Sequence, residues 1–191
     1  MCESIVDVLY GTLIEHTFLD LRATRGILDT LLYLSPTRRL LYITDTSADL
    51  PSRKFEHLSC FYPGLLTLGV FSLQHDMSIP EHERLMHRWA AEGLAHTCWT
   101  MYGESVSGLG PEEAQFDFRH LAGVPTTNIY AERWMSHVRL WEAEGSPGGK
   151  PPGVAHLAEL VMKDSGVTRD YATKSAPYLL RPEVKCSPIG L

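Results

Sequence analysis

The sequence predicts an all-α fold, mainly helical with short β-hairpins. Apolar residues recur at helical spacing in several segments, the strand-like runs are short, and turn-forming residues separate the helical segments. A length of 191 residues is typical of one domain, and 44% hydrophobic with 21% charged residues is ordinary for a globular protein. We therefore expect an antiparallel array of helices around a packed core.

In the first half of the chain, a helix is predicted over about 17–34, and the proline of 35–37 ends it because it cannot continue the hydrogen-bond ladder. Residues 40–44 are β-branched and aromatic, typical of a strand or an extended connector. A loop at 47–52 leads to a second predicted helix at about 55–73. Because this helix is apolar on most sides, we expect it in the packed interior.

In the second half, a helix is predicted over about 81–102, followed by a turn at 108–113 and an extended segment at 116–118. A shorter helix is predicted at about 131–144. The Gly- and Pro-rich residues 145–153 then form the most flexible-looking part of the chain, which we interpret as a loop or insertion rather than a domain boundary.

The charge and the termini exclude some functions. A net charge of −6, with basic residues scattered apart from Arg38 and Arg39, argues against nucleic-acid binding. No apolar run reaches the roughly 18 residues that a transmembrane helix needs. Residues 1–7 are acidic and lack the basic-then-apolar order of a secretory signal, so we expect no signal peptide in this chain.

The four cysteines are Cys2, Cys60, Cys98 and Cys186, and none forms a CxxC pair. Cys60 and Cys98 both lie in helical pattern. They are either two buried free thiols, which are common in cores, or a disulfide between neighbouring helices. The sequence pattern favours neither alternative.

Two segments place charged groups in otherwise core-like sequence. Arg181, Pro182 and Glu183 directly follow an apolar run, and the apolar segment 55–69 contains Glu56 and His57. Burying a charge costs several kcal/mol unless it is paired or used. These segments are therefore candidates for the wall of a polar active site.

At these segments the chain resembles glycoside hydrolase family 47, the class I α-1,2-mannosidases, especially their fungal members. The matching strings occur in the family's order and cover about 21–183, which makes residues 1–191 a partial catalytic domain with divergent ends at 1–20 and 184–191. They are LYLSPTR at 32–38, EHLSCF at 56–61, WAAEGLAHTCW at 89–99, SGLGPE at 107–112 and YLLRPE at 178–183.

The resemblance implies an (α/α)7 barrel, incomplete here, with a calcium ion at the floor of its cavity. It also implies hydrolysis with inversion, which trims α-1,2-linked mannose from high-mannose N-glycans or glycoproteins in the endoplasmic reticulum and Golgi. Cys60 and Cys98 match the disulfide pair of the family.

The resemblance also implies roles for individual side chains. Glu183 matches the family's general base, and the adjacent Arg181 would help to keep its carboxylate ionised while it deprotonates the attacking water. Glu112 matches an acidic residue that lines the cavity, and His57 matches a histidine near the bound sugar.

Each of these roles has a structural alternative. Arg181 and Glu183 could form a surface ion pair, Glu112 could open a helix, and His57 could be a core histidine. Four tryptophans could stack on sugars, but their helical spacing favours core positions. They are Trp89, Trp99, Trp134 and Trp141.

The chain departs from the family pattern at both ends. The upstream part that should supply the general acid is not recognisable, so Asp7, Glu15 and Asp20 receive no role. Downstream, Cys186 replaces a second glutamate, and the threonine that would bind calcium directly is absent, which leaves no assigned metal ligand in this chain. We expect a truncated or misassembled family member that is inactive alone; the alternatives are a non-catalytic glycan-binding or quality-control module, and an unstable remnant.

Overall fold

The computed structural model describes residues 21–48, 50–72, 79–105, 108–116, 132–154, 170–173 and the backbone of 178–179. Two of the predicted site residues, Arg181 and Glu183, lie outside the described residues. The same holds for Asp7, Glu15 and Asp20, which received no role, and for Cys2 and Cys186.

Four helices contain most of the regular structure in the described part of the chain. Helix α1 comprises residues 21–30, and α2 (Tyr62–Ser72) follows a 3₁₀ turn (His57–Phe61). Helix α3 (Glu81–Glu104) is the longest, and α4 (Trp134–Ala143) comes after it.

The strands are short and every observed pairing is antiparallel, in four small sheets with the orders β1-β2, β3-β4, β5-β7-β8 and β6-β9. A mainly helical structure with short hairpins agrees with the predicted fold class. The strands are β1 (Leu32–Leu34), β2 (Leu41–Ile43), β3 (Thr46–Ser47), β4 (Leu50–Pro51), β5 (Lys54–Glu56), β6 (Gly110–Pro111), β7 (Glu113–Phe116), β8 (Tyr171–Thr173) and β9 (Tyr178–Leu179).

The helix predicted over 17–34 was wrong at its C-terminal end. Residues 32–34 form β1, which pairs with β2 so that Leu32 faces Ile43 and Leu34 faces Leu41. Pairing with β2 outweighs the local helical spacing, because it places all of β1 in the core.

The helix predicted over 55–73 was wrong in its start and in its burial. Residues 54–56 form β5, and the helix begins only after the 3₁₀ turn. Leu66 is buried against α3, but large apolar side chains on the opposite side face solvent, since none of the described elements covers that side. They are Leu58, Phe61, Leu65, Leu68 and Phe71, between 50% and 72% exposed.

The Gly- and Pro-rich segment after α4 is anchored rather than loose. The indole N–H of Trp134 donates to the carbonyl of Pro152, and that of Trp141 donates to the carbonyl of Pro147, both at 2.9 Å. These two bonds fix the turns of the segment against the buried side of α4.

The described residues form two apolar clusters. The first fills the space between α1, the β1-β2 hairpin, α3 and α4, with Trp134 fully buried. The second surrounds the β5-β7-β8 sheet, where Tyr42 stacks on Phe116 with ring centroids 3.9 Å apart. The second cluster packs against the sheet near the end at which two of the predicted site residues, His57 and Glu112, lie.

Candidate active site

The C-terminal half of α3, the 3₁₀ turn and β6 meet around His57. The backbone N–H of His57 donates to the carbonyl of Glu112 at 2.9 Å, which ties the start of the turn to the residue that follows β6. Strand β6 pairs in turn with β9, with Gly110 opposite Leu179. Two of the predicted site residues, His57 and Glu112, are thus brought together at the backbone. They lie near β9, the strand formed by the first two residues of the YLLRPE motif.

The imidazole of His57 is engaged by a side chain that the sequence analysis missed. Its Nε2 lies 2.7 Å from the hydroxyl of Tyr102 on α3, and only 3% of His57 is exposed. The tyrosine hydroxyl can donate or accept, so it satisfies this nitrogen in either neutral tautomer.

Glycine at position 110 is required by close packing. A Cβ atom there would lie 2.5 Å from Cε2 of Tyr102 and 3.0 Å from Cδ2 of His57. These distances are shorter than van der Waals contact, so only a residue without a side chain lets β6 approach the pair. The glycine-rich string SGLGPE was recognised as a motif, but this packing role could not be derived from it.

Glu112 lies in a bend between β6 and β7 and is partly buried. The alternative that Glu112 opens a helix was wrong, because β7 begins at the next residue. Its backbone position beside β6 is fixed by the bond from His57.

Cys60 and Cys98 form a disulfide, with Cα atoms 6.0 Å apart and a sequence separation of 38. This confirms the pairing that the family resemblance implied, and it excludes the alternative of two free thiols. The bridge joins the 3₁₀ turn to α3 one helical turn from Tyr102, so it supports the contact with His57.

A second polar cluster lies on the other side of α3's C-terminal end, and the sequence analysis missed it. The carboxylate of Glu104 accepts hydrogen bonds from the guanidinium of Arg38 at 2.5 Å and from the hydroxyl of Tyr171 at 2.7 Å. Only 4% of the Glu104 side chain is exposed. A buried charge of this kind is tolerated because both of its oxygens are hydrogen-bonded.

Asp170 completes this cluster by capping the turn between β1 and β2. One carboxylate oxygen accepts from the hydroxyl of Ser35 at 2.7 Å and from the backbone N–H groups of Thr37 and Arg38 at 2.9 Å and 2.6 Å. Asp170 itself has φ of 54°, a left-handed conformation. The serine-proline-threonine-arginine string of the LYLSPTR motif is therefore a structural turn held by a distant aspartate.

The tryptophans divide as core and surface. Trp134 and Trp141 are buried, and Trp89 packs edge-on against Trp141 with ring centroids 5.6 Å apart. Trp99 is 40% exposed, so the core interpretation holds for three of the four and was wrong for Trp99.

The comparison with protein families decides the assignment. The family model described as Glycosyl hydrolase family 47 matches residues 18–187. The chain belongs to this family. The prediction made from the five sequence blocks is confirmed.

Similar proteins within glycosyl hydrolase family 47 carry mannosidase names. The endoplasmic reticulum mannosyl-oligosaccharide 1,2-alpha-mannosidase of Rattus norvegicus is 36% identical over 96 residues, which are 50% of this chain and 13% of the rat protein. The mannosyl-oligosaccharide 1,2-alpha-mannosidase MNS3 of Arabidopsis thaliana is 41% identical over 70 residues, 34% of this chain and 11% of that protein.

The protein of Schizosaccharomyces pombe with the same description as the rat enzyme is 30% identical over 141 residues, 66% of this chain and 25% of its own length. The matched part of the chain thus spans a quarter or less of each of these three relatives.

The family resemblance led us to expect a calcium ion, but the described residues do not fit one by themselves. Nowhere among them do three or more His, Cys, Asp or Glu side chains gather as a metal site would require. None of the helices in the described ranges is both long and apolar enough to cross a bilayer.

Proposed function

We propose that this chain is part of an inverting α-1,2-mannosidase that trims mannose from high-mannose N-glycans in the secretory pathway. The observation that carries the proposal is the meeting of His57 and Glu112 at β6, which pairs with the strand before Glu183. The mannosidase names of the relatives, two of which include the endoplasmic reticulum, support the substrate and the compartment. An incomplete (α/α)7 barrel is the architecture that we propose, since the family and the mainly helical structure with short hairpins are compatible with it.

In this proposal Glu183 is the general base. Inverting glycosidases separate their two carboxyl groups by roughly 6.5–9.5 Å so that a water molecule fits between the sugar and the base. Glu183 follows Leu179 by four residues, and four extended residues span at most about 14 Å. In this proposal the carboxylate lies within that distance of Leu179, which pairs with Gly110, and it would take the proton of the attacking water.

The remaining groups would bind and orient the sugar. Arg181 is two residues from Glu183 and would favour its ionised form by charge proximity. The carboxylate of Glu112 would accept hydrogen bonds from sugar hydroxyls, and the imidazole of His57 would contact the same ring. A general acid is not assigned, and we expect no measurable turnover by the chain alone, because without that acid the leaving oxygen is not protonated.

The test compares binding and hydrolysis of α-1,2-mannobiose by the full chain, with and without calcium. Binding is measured by titration calorimetry and hydrolysis by release of mannose. We expect binding that is weakened by Glu112→Gln and unaffected by Glu144→Gln, a matched change at an exposed position after α4. If the chain neither binds nor hydrolyses this disaccharide, the proposal fails.

If hydrolysis is detected, Glu183→Gln must abolish it, and unchanged activity would remove the assignment of the base. Binding without hydrolysis in all conditions would favour the second candidate, a non-catalytic glycan-binding or quality-control module. A cooperative thermal transition by circular dichroism separates both candidates from an unstable remnant.

A further inference from the structure

We propose that Tyr102 is a positioning residue that fixes the imidazole of His57, and that Gly110 provides the space in which this pair is held against β6. The inference concerns the arrangement of the two rings, and only its consequence for sugar binding rests on the proposed function. The family resemblance assigns no role to Tyr102 or Gly110.

The first argument is the geometry of the two rings. The hydroxyl of Tyr102 lies 2.7 Å from Nε2 of His57, and the ring centroids are 5.4 Å apart with the planes inclined at 56°. The tyrosine therefore fixes the orientation of the imidazole through Nε2, whichever neutral tautomer the ring adopts.

The second argument is that both residues are anchored at the backbone. The backbone N–H of His57 is bonded to the carbonyl of Glu112 at 2.9 Å. Cys60, three residues after His57, is bonded to Cys98, four residues before Tyr102. Each ring is thus about one turn from the same covalent bridge, so neither can move far without distorting α3 or the 3₁₀ turn.

The third argument is the packing of β6 on the pair. A Cβ at Gly110 would lie 2.5 Å and 2.8 Å from Cε2 and Cζ of Tyr102, and 3.0 Å from Cδ2 of His57. The two rings therefore fill the space directly above Gly110. Gly110 pairs with Leu179 of β9, the strand that precedes Arg181 and Glu183 in the sequence. The packing of the two rings on Gly110 therefore also sets the distance between α3 and β9.

The direct test is nitrogen-15 NMR of the histidine rings in the full, oxidised chain. The His57 signals are identified by their loss in His57→Gln. We expect Tyr102→Phe to change the ring nitrogen shifts of His57, because the hydroxyl that holds Nε2 is gone. The matched control is Tyr42→Phe, which removes another buried tyrosine hydroxyl in the second cluster and should leave the His57 signals in place.

A second measurement uses the amide signals of β6 and β9. Gly110→Ala should shift them and increase their hydrogen exchange, whereas Gly69→Ala should not, because a Cβ at Gly69 meets no atom within 4 Å. If Tyr102→Phe leaves the His57 ring shifts unchanged, or if Gly110→Ala leaves the β6 and β9 amides unchanged, the inference is overturned.

The consequence for function is tested with α-1,2-mannobiose. We expect Tyr102→Phe to weaken its binding about fivefold, the value of one net hydrogen bond. The double variant with His57→Gln should bind no more weakly than His57→Gln alone, because Tyr102 acts through His57. Additive losses would overturn the positioning role. A wild-type chain that does not bind the disaccharide would refute the proposed function, and the NMR result would still decide the arrangement of the rings.

Discussion

Removing the disulfide between Cys60 and Cys98 should destabilise the protein by about 4 kcal/mol. The bridge closes a loop of 38 residues, and the loop-closure entropy that it removes from the unfolded chain corresponds to about this free energy at 25 °C. Domains of this size are stable by roughly 5–15 kcal/mol, so the loss is a large fraction of the total. The folded structure loses little direct contact, since both cysteines are buried in the second cluster and can stay there as alanines or thiols.

The assay is urea unfolding followed by circular dichroism, in a background that carries Cys2→Ser and Cys186→Ser. This background leaves Cys60 and Cys98 as the only thiols, and it is measured with and without reductant. The reduced protein should show a lower midpoint, and the variant with Cys60→Ala and Cys98→Ala should match it in both conditions. Equal midpoints with and without reductant, in protein whose thiols are shown to be oxidised by mass, would refute the reasoning.

Three further changes test the packing and the buried charge. Glu104→Ala should cost about 3 kcal/mol in urea melts, because it leaves the half-buried guanidinium of Arg38 and the buried hydroxyl of Tyr171 without their shared acceptor. A loss under about 1 kcal/mol would contradict this. Gly93→Ala should destabilise the protein by about 1–3 kcal/mol, since its Cβ would lie 2.8 Å from the side chain of Leu41 and 2.9 Å from the carbonyl oxygen of Gly153. Gly69→Ala is the matched control in open space, and it should stabilise the protein by about 0.5–1 kcal/mol. Burial lowers the pKa of His87 below its ordinary 6.5, so the unfolded chain takes up the proton first as the pH falls. The free energy of unfolding should therefore decrease as the pH drops below about 6.5, until the folded pKa is passed. In thermal melts between pH 8 and 5, the melting temperature of His87→Gln should depend less on pH, and an unchanged dependence would count against the reasoning.

The parts of the fold that were predictable are those with a long, uninterrupted pattern. Helix α3 was predicted over 81–102 and runs from Glu81 to Glu104, because its buried residues keep a helical period for its whole length. Strand β2 was predicted within 40–44, where β-branched and aromatic residues are concentrated. In both cases local preference and tertiary packing favour the same structure.

Short segments failed for the opposite reason. The leucines of β1 fit the end of a helix as well as a buried strand, and periodicity cannot separate the two over three residues. What decides for the strand is the hairpin turn, in which Arg39 adopts a φ of 57° and Ser35 and Asp170 supply hydrogen bonds. Neither the left-handed backbone conformation of Arg39 nor the bond from Ser35 to Asp170, 135 positions further along the chain, can be read from a local sequence pattern.

The burial of α2 shows a different limit. The helix contains no charged residue, which is typical of an interior helix, yet Leu65 and Leu68 are 50% and 61% exposed. Sequence pattern reports what a segment can bury and not which neighbour is present to cover it. An exposed apolar row of this size is normally an interaction surface. The sequence thus correctly predicts that α2 is apolar on most sides, but not that one of these sides is exposed to solvent.

At the candidate site, the sequence located the motifs but not the contacts between them, although part of that information was present. Cys60 lies three residues after His57, and Tyr102 lies four residues after Cys98, so each is about one turn from its cysteine. When the two cysteines are bonded and the two segments run in opposite directions, residues 57 and 102 must fall on the same side of the bridge. The family's disulfide pairing combined with the helical period therefore predicts the contact between His57 and Tyr102. Glu104, Arg38 and Asp170 are not close in sequence to a bonded cysteine pair in this way, so their contacts become visible only in the structure.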